Sequence, residues 1–360
     1  MAVRFLALLL FVALASIRSL AAEPKSTGDN TADRAASKSD STAKRTSTTR
    51  TTTKRTPRKS AAQQKKEAER EKWLERLKEN DVEPWPENET DEEHAAALKK
   101  SREMIDEVKS LYPGSQLYET KYFLFVSNIP AQQVTPYAAS LDRMYEWMSR
   151  LYGVARDHKV WLGGKAPIFA FLDKEQFDDF EEHFFPETGK QIHELANVYG
   201  LSHLDKNGEV VISCYRGNDP NDFGQMIVHE TSHGFIHRYK SKAQLPNWVD
   251  EGMADLVGAE MVPASMAVRN RELRAVQQLA QQHSLGGMLS ADRIDGWQYG
   301  AASNLNRFLL QSNRQNYVRF IEALKEGMKW EEAIHEAYRS TPEEMLSEYG
   351  RMIHVPDLRP

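Results

Sequence analysis

His229-Glu230-Thr231-Ser232-His233 places two histidines four residues apart, close to one turn of an α-helix. Residues at this spacing share a helix face, so both imidazoles can reach one metal ion. Glu230 stands beside the first histidine and can act as general base on a water that the metal activates. The apolar residues before the motif, Met226-Ile227-Val228, indicate a buried helix. The stretch therefore predicts a buried metal helix that carries two ligands and a base.

A third ligand is predicted in Trp248-Val249-Asp250-Glu251-Gly252-Met253-Ala254-Asp255. A catalytic zinc ion takes three protein ligands and leaves one position for water. Glu251 follows His233 by eighteen residues, in a stretch whose Gly and Ala residues allow close packing against another helix. Asp255 lies four residues later on the same face, where it can accept the second ring proton of a ligand histidine. We predict a Zn²⁺ site with His229, His233 and Glu251 as ligands and Asp255 as their outer partner.

The segments around the metal helix predict an α+β fold. Apolar runs of strand length occur at 122–126, 167–172 and 209–215, and helical spacing occurs over 131–152. Asp219 as N-cap and Pro220 at the first helical position open the metal helix. After Glu251 the pattern is almost entirely helical to about Ile353. We expect a small mixed β-sheet packed on the metal helix and a mainly helical C-terminal half.

The first 60 residues differ in composition from the rest. Residues 1–22 combine Arg4, an apolar run and Ala21-Ala22, which is typical of a secretory signal peptide. The run is too short to span a bilayer comfortably, so we expect a secreted or periplasmic protein without a transmembrane span in the mature chain. Residues 23–60 are rich in Ser and Thr and predict a disordered basic linker.

The linker carries ten Lys and Arg residues against four Asp and Glu, whereas the rest of the mature chain is acidic. Its charge would suit contact with an anionic envelope surface, although a solvated spacer is the simpler interpretation. Nucleic acid is not expected as a partner, because the folded body is acidic. Charged helices are predicted over 61–112 and the catalytic domain over 113–355. Cys214, the single cysteine, reads as a buried strand residue.

The chain resembles the gluzincin metallopeptidases, which combine His-Glu-x-x-His with a later Glu and an Asp four residues after it. The segment 248–254 looks like the Trp-Leu-x-Glu-Gly-x-Ala signature of their aminopeptidase-like branch. The small exported "peptidase MA-like" proteins of environmental bacteria look closer still. The chain lacks the Gly-x-Met-Glu-Asn type exopeptidase motif of the aminopeptidase branch. A metzincin-type third histidine is also missing, because Tyr239 stands at its position.

The resemblance implies a zincin-like fold and an exported peptidase that hydrolyses peptide bonds in a peptide or protein substrate. It implies zinc bound by His229, His233 and Glu251, with Glu230 as base. Because gluzincins often use a Tyr after the third ligand, Tyr299 is the candidate donor to the oxyanion; a core Tyr is the alternative. The strand at 210–215 is the candidate edge for pairing with an extended peptide. The alternative function is a catalytically silent, zinc-containing envelope or binding protein.

Overall fold

The computed structural model describes residues 60–360, apart from 87, 156–157 and 193–197. The predicted signal peptide, 1–22, lies outside the described residues. So does the predicted linker, 23–60, except for Ser60, which caps the first helix. None of the helices in the described part of the chain is long and apolar enough to cross a membrane.

The sheet consists of β1 (Gln116–Glu119), β2 (Phe123–Ser127), β3 (Ala166–Phe171), β4 (Gly200–Leu204) and β5 (Val210–Tyr215). The helices before and between the strands are α1 (Ala61–Glu79), α2 (Asp91–Leu111), α3 (Ala131–Leu151), α4 (Lys174–Phe184) and α5 (Pro186–Ile192). The helices after the sheet are α6 (Pro220–Arg238), α7 (Asn247–Met261), α8 (Ala267–Gln282), α9 (Gln298–Ser312), α10 (Arg314–Lys325), α11 (Trp330–Tyr338) and α12 (Pro342–Met352). The described chain is thus mixed α and β, with a mostly helical C-terminal half.

Capping side chains fix where the predicted helices begin. The Asp219 carboxylate accepts from the backbone N–H groups of Asn221 and Asp222 at the start of α6, and Pro220 follows it. Thr90 opens α2 through a reciprocal capping box with Glu93. These contacts satisfy N–H groups that have no partner inside the helix. The predicted start of the metal helix is confirmed.

The strands form one mixed sheet in the spatial order β1-β2-β3-β5-β4. β2, β3 and β5 run parallel, whereas β1 and β4 pair antiparallel at the two ends. The three predicted strands correspond to β2, β3 and β5, and the two outer strands were not predicted. The prediction that 210–215 forms an edge is wrong, because β5 pairs with β3 on one side and β4 on the other.

Helices cover both faces of the sheet. Alternate strand residues such as Phe123, Ile168 and Ile212 join a core that includes buried residues of α3 and α6. Their neighbours, such as Phe169 and Phe171, join a second core with α2 and α4. Strands buried on both faces read as continuous apolar runs, which is how β2, β3 and β5 appear in the sequence. Helix α6, which is predicted to carry two metal ligands, lies on one face of the sheet, as expected.

A buried polar cluster ties the outer strand β4 to α4. Glu181 of α4 is fully buried, and its Oε1 atom accepts hydrogen bonds from Ser213 of β5 and from His203 Nε2 of β4, the latter at 3.1 Å. The Phe185 ring stacks on His203 with ring centroids 3.6 Å apart. These two hydrogen bonds offset part of the cost of burying the carboxylate, whose Oε2 atom has no hydrogen-bond partner among the described residues. The cluster therefore fixes the position of β4 beside α6.

Helices α7 and α9 pack closely because Gly252 has no side chain. A Cβ atom at Gly252 would lie 2.4 Å from the carbonyl oxygen of Ala302 and 2.4 Å from Asn306 Nδ2. Asn306 is fully buried and donates to the Trp248 carbonyl oxygen at 3.2 Å. The close helix packing predicted from the Gly and Ala residues of 248–255 is confirmed.

Gly252→Ala should lower the free energy of unfolding by about 1–3 kcal/mol, because the methyl group must displace the backbone of α9. Urea titration followed by circular dichroism measures this change. Gly296→Ala is the matched control, since nothing lies within 4 Å of a Cβ atom there. The control should change the free energy of unfolding by less than about 0.5 kcal/mol. Equal effects of the two substitutions would contradict the close packing of α7 on α9.

Candidate metal centre

The packing of α7 on α6 brings three predicted ligand atoms together. His229 and His233 lie on α6, and Glu251 lies in the second turn of α7. Each side chain is largely buried, with exposed fractions of 12%, 10% and 18%. Trp248 and Val249 are completely buried and anchor the first turn of α7 in the core. The apolar residues that flank Glu251 thus hold its carboxylate against α6.

The three ligand atoms form a nearly equilateral triangle. His229 Nε2 lies 3.1 Å from His233 Nε2. Glu251 Oε2 lies 3.2 Å from His229 Nε2 and 3.6 Å from His233 Nε2. Zinc bonds of about 2.0–2.1 Å in tetrahedral geometry would separate neighbouring ligand atoms by about 3.3–3.4 Å. The triangle therefore has the size of one face of a zinc coordination tetrahedron.

A separate carboxylate holds the far side of each ring. His229 Nδ1 lies 3.0 Å from Asp255 Oδ1, and His233 Nδ1 lies 3.0 Å from Asp250 Oδ1. A carboxylate only accepts, so each Nδ1 carries the hydrogen and donates it. In the neutral rings both Nε2 lone pairs then face each other across 3.1 Å. Such a pair of lone pairs requires a cation or a proton between them.

The charges around the rings favour a cation at the triangle. Burial lowers the pKa of His229, but hydrogen bonds with Asp255 and Glu251 outweigh it and raise the pKa to about 9. The pKa of His233 is likewise raised against the effect of burial, by Asp250 and Glu251. The pKa of Glu251 is lowered, since hydrogen bonds with both rings outweigh its burial. The raised pKa values mean that the two imidazoles hold protons at the triangle. A bound metal ion would supply the same positive charge.

The donor set fits a divalent metal better than it fits an ordinary buried core. Carboxylates surround the two imidazoles, and Arg271 offsets part of their charge by donating to Asp255 Oδ1 at 2.5 Å. Asp255 is fully buried, and its Oδ2 atom has no hydrogen-bond partner among the described residues. Two imidazole nitrogens and one carboxylate oxygen are a donor set that zinc accepts. The predicted ligands therefore suit zinc in number and in type.

Glu230 lies beside the triangle without joining it. Its carboxylate makes no hydrogen bond or ion pair with any described residue. Burial raises the pKa of Glu230, His229 and His233 oppose that effect, and Glu251 adds to it. A Cβ atom at Gly200, the first residue of β4, would lie 3.0 Å from Glu230 Cγ. Glu230 therefore lies between α6 and the outer strand, and no described residue occupies its carboxylate by a hydrogen bond.

Tyr299 lies in the first turn of α9, half-buried against the core that includes α6 and α7. Its pKa is raised to about 12, first by burial and then by the negative charge of Glu251, while Arg293 opposes the shift. The charges of Glu230 and Asp255 also raise this pKa. The phenol thus lies within electrostatic reach of the predicted site and stays protonated at neutral pH.

One further residue, Asp250, lies at the site and was not predicted to do so. Asp250 holds His233 and also accepts from His237 Nε2 through its second oxygen, at 2.9 Å. The sequence offered a signal for Asp250, which is an acidic residue next to Glu251 in a stretch predicted to be buried. The ligand atoms of His233, His237 and Asp250 lie within 4.8 Å of one another. This second group shares His233 with the first but uses the opposite ring nitrogen.

Comparison of the chain with protein-family models and with curated proteins gave no match. The function is therefore inferred from the residues of the site and their geometry.

Proposed function

We propose that this chain is a zinc-dependent peptidase with a zincin-like fold, similar to the gluzincins. The observation that carries the proposal is the triangle of His229 Nε2, His233 Nε2 and Glu251 Oε2, with sides of 3.1 to 3.6 Å. Three protein ligands leave a coordination position for water, as catalytic zinc requires, whereas structural zinc is closed by four. Glu230, whose carboxylate has no hydrogen bond or ion pair with the described residues, lies beside the triangle and supports a catalytic role over a structural one.

The bound zinc would supply Lewis acidity, which activates a water and polarises the scissile carbonyl. Asp255 and Asp250 hold the two imidazoles in the tautomer that presents Nε2. Glu230 takes a proton from the attacking water as the oxygen–carbon bond forms. It then returns that proton to the amine nitrogen as the carbon–nitrogen bond breaks. Tyr299 donates a hydrogen bond to the oxyanion, which a phenol that stays protonated can do.

The outer strand β4 replaces β5 as the proposed docking edge for an extended peptide. β4 is the last strand on its side of the sheet, and its first residue, Gly200, lies against Glu230. An added strand gains main-chain hydrogen bonds that do not depend on sequence, while pockets supply specificity. The proposed substrate class is thus a peptide or an extended protein segment. The export predicted from residues 1–22 would place this activity outside the cytoplasm.

The purified chain should carry one zinc ion and cleave members of a peptide library. A chelator should abolish cleavage, and added zinc should restore it, because no protein group replaces the Lewis acid. Metal analysis and mass spectrometry of the digest measure both properties. A chain that binds no divalent metal would overturn the proposal. Stoichiometric zinc without cleavage would favour the silent envelope or binding protein instead.

A further inference from the structure

The C-terminal end of α6 carries a third histidine, His237, whose ring nitrogen lies on the same carboxylate as His233. His237 Nε2 donates to Asp250 Oδ2 at 2.9 Å, and His233 Nδ1 donates to Asp250 Oδ1 at 3.0 Å. Each carboxylate oxygen thus serves a different ring. Two bonds on separate oxygens fix the plane of a carboxylate, whereas one bond leaves it free to rotate.

The backbone of His237 is held from outside the helix. Its carbonyl oxygen accepts from the Trp85 indole N–H at 2.7 Å and from Lys325 Nζ at 3.4 Å. Lys325 is fully buried and also donates to the Ala243 carbonyl oxygen at 2.6 Å. These contacts fix the last turn of α6. The backbone that carries the His237 ring is therefore held in place while the ring donates to Asp250.

We infer that His237 is a positioning residue for the metal centre, which acts on His233 through Asp250. The inference rests on the proposed function, because it requires a metal ion at the triangle. His237 keeps Asp250 Oδ1 aimed at His233 Nδ1, and this bond keeps His233 Nε2 turned toward the ion. Outer partners of this kind tune metal affinity by their orientation of the ligand ring. The His237 ring makes its hydrogen bond to Asp250 and not to any of the three ligand atoms.

The second group of candidate ligands gives the rival assignment, in which His237 itself binds a metal. His233, His237 and Asp250 hold ligand atoms within 4.8 Å of one another. Occupying both groups would require both ring nitrogens of His233 to bind metal. That ring would have to lose both protons, whereas metal-bound histidine usually donates its other N–H. The short contacts of Asp250 with both rings are those of a shared hydrogen-bond acceptor.

His237→Leu should weaken zinc binding by about 10-fold, the lower end of the range for outer partners. Competition with a chromophoric chelator measures the dissociation constant of the purified full chain. His237→Gln can still donate from Nε2 and should restore most of the affinity. His335→Leu removes an exposed histidine of α11 and should leave the affinity unchanged. The thermal midpoint of the metal-free chain separates a loss of fold from a loss of positioning.

A double-mutant cycle tests whether His237 acts through Asp250. In the Asp250→Ala background, His237→Leu should cause no further loss of zinc affinity, because its target is gone. An additive loss would overturn the inference, as would a His237→Leu chain with wild-type affinity. Two zinc ions per wild-type chain would assign His237 as a ligand instead. A wild-type chain that binds no metal would remove the proposed function itself, which distinguishes the two failures.

Discussion

Glu230→Gln should reduce kcat/KM for peptide cleavage by about 10²–10⁴-fold while zinc stays bound. Glutamine has nearly the same shape as glutamate but cannot take a proton from water. Glu230 is not part of the ligand triangle, so its replacement leaves all three donor atoms in place. Burial is the largest cause of the raised pKa of Glu230. The shift moves this pKa toward neutral pH, where a general base works best. Steady-state kinetics together with metal analysis of the same sample measure both outcomes.

Glu260→Gln is the matched control for this substitution. Glu260 lies on α7, as Glu251 does, but its side chain is exposed and it has no predicted role. Its replacement should change neither the kinetics nor the zinc content. Retained turnover in zinc-loaded Glu230→Gln would reject the general-base role. Loss of zinc from that variant would instead make Glu230 a ligand.

Glu251→Ala should abolish stoichiometric zinc binding. Two histidines would remain, and the only carboxylate oxygen of the triangle would be lost. The affinity should fall by more than the roughly 10–100-fold that removal of an outer partner causes. A ligand that binds only the folded state stabilises it by about 4 kcal/mol at 1,000 times its dissociation constant. The rise in thermal midpoint that zinc gives the wild-type chain should therefore vanish in the variant.

Glu260→Ala is the control, and it should keep both the zinc ion and the zinc-dependent rise in thermal midpoint. Chelator competition gives the two dissociation constants on one scale. A Glu251→Ala chain with wild-type affinity would show that the third ligand lies elsewhere. That result would leave His229 and His233 as candidates and would remove the triangle as the basis of the proposed function.

The core elements could be predicted because their signals are local. Asp219 and Pro220 mark the start of α6 by capping, which involves only neighbouring residues. The parallel strands read as apolar runs because both of their faces are buried. α4 also had usable signals: Asp173 caps it, and Phe177 and Phe180 share its buried face.

The outer strands could not be predicted in the same way. β1 is mostly exposed, and β4 begins with Gly200 and has Ser202 and His203 between two leucines. These two segments become strands only by pairing, β1 with β2 and β4 with β5, which the local sequence pattern does not encode. The spatial order of the strands also differs from their chain order, so β5 was wrongly placed at the edge.

Sequence spacing identified the candidate ligands, but it identified only one of the two carboxylates that hold their rings. Asp255 was predicted as an outer partner because it shares a helix face with Glu251, and it lies 3.0 Å from His229 Nδ1. Asp250 precedes Glu251 and would point away from that face on an isolated helix. Only the crossing of α7 over α6 brings it to His233. The contact of His237 depends on the same crossing.

The single thiol of Cys214 has a practical consequence. It is completely buried within β5, and burial raises its pKa far above the usual range. The protonated, enclosed sulfur is inert toward oxidants and alkylating reagents while the sheet is intact. Two native chains therefore cannot cross-link through it, even in an oxidising medium. The rate at which this one sulfur is alkylated would instead report how often the middle of the sheet opens.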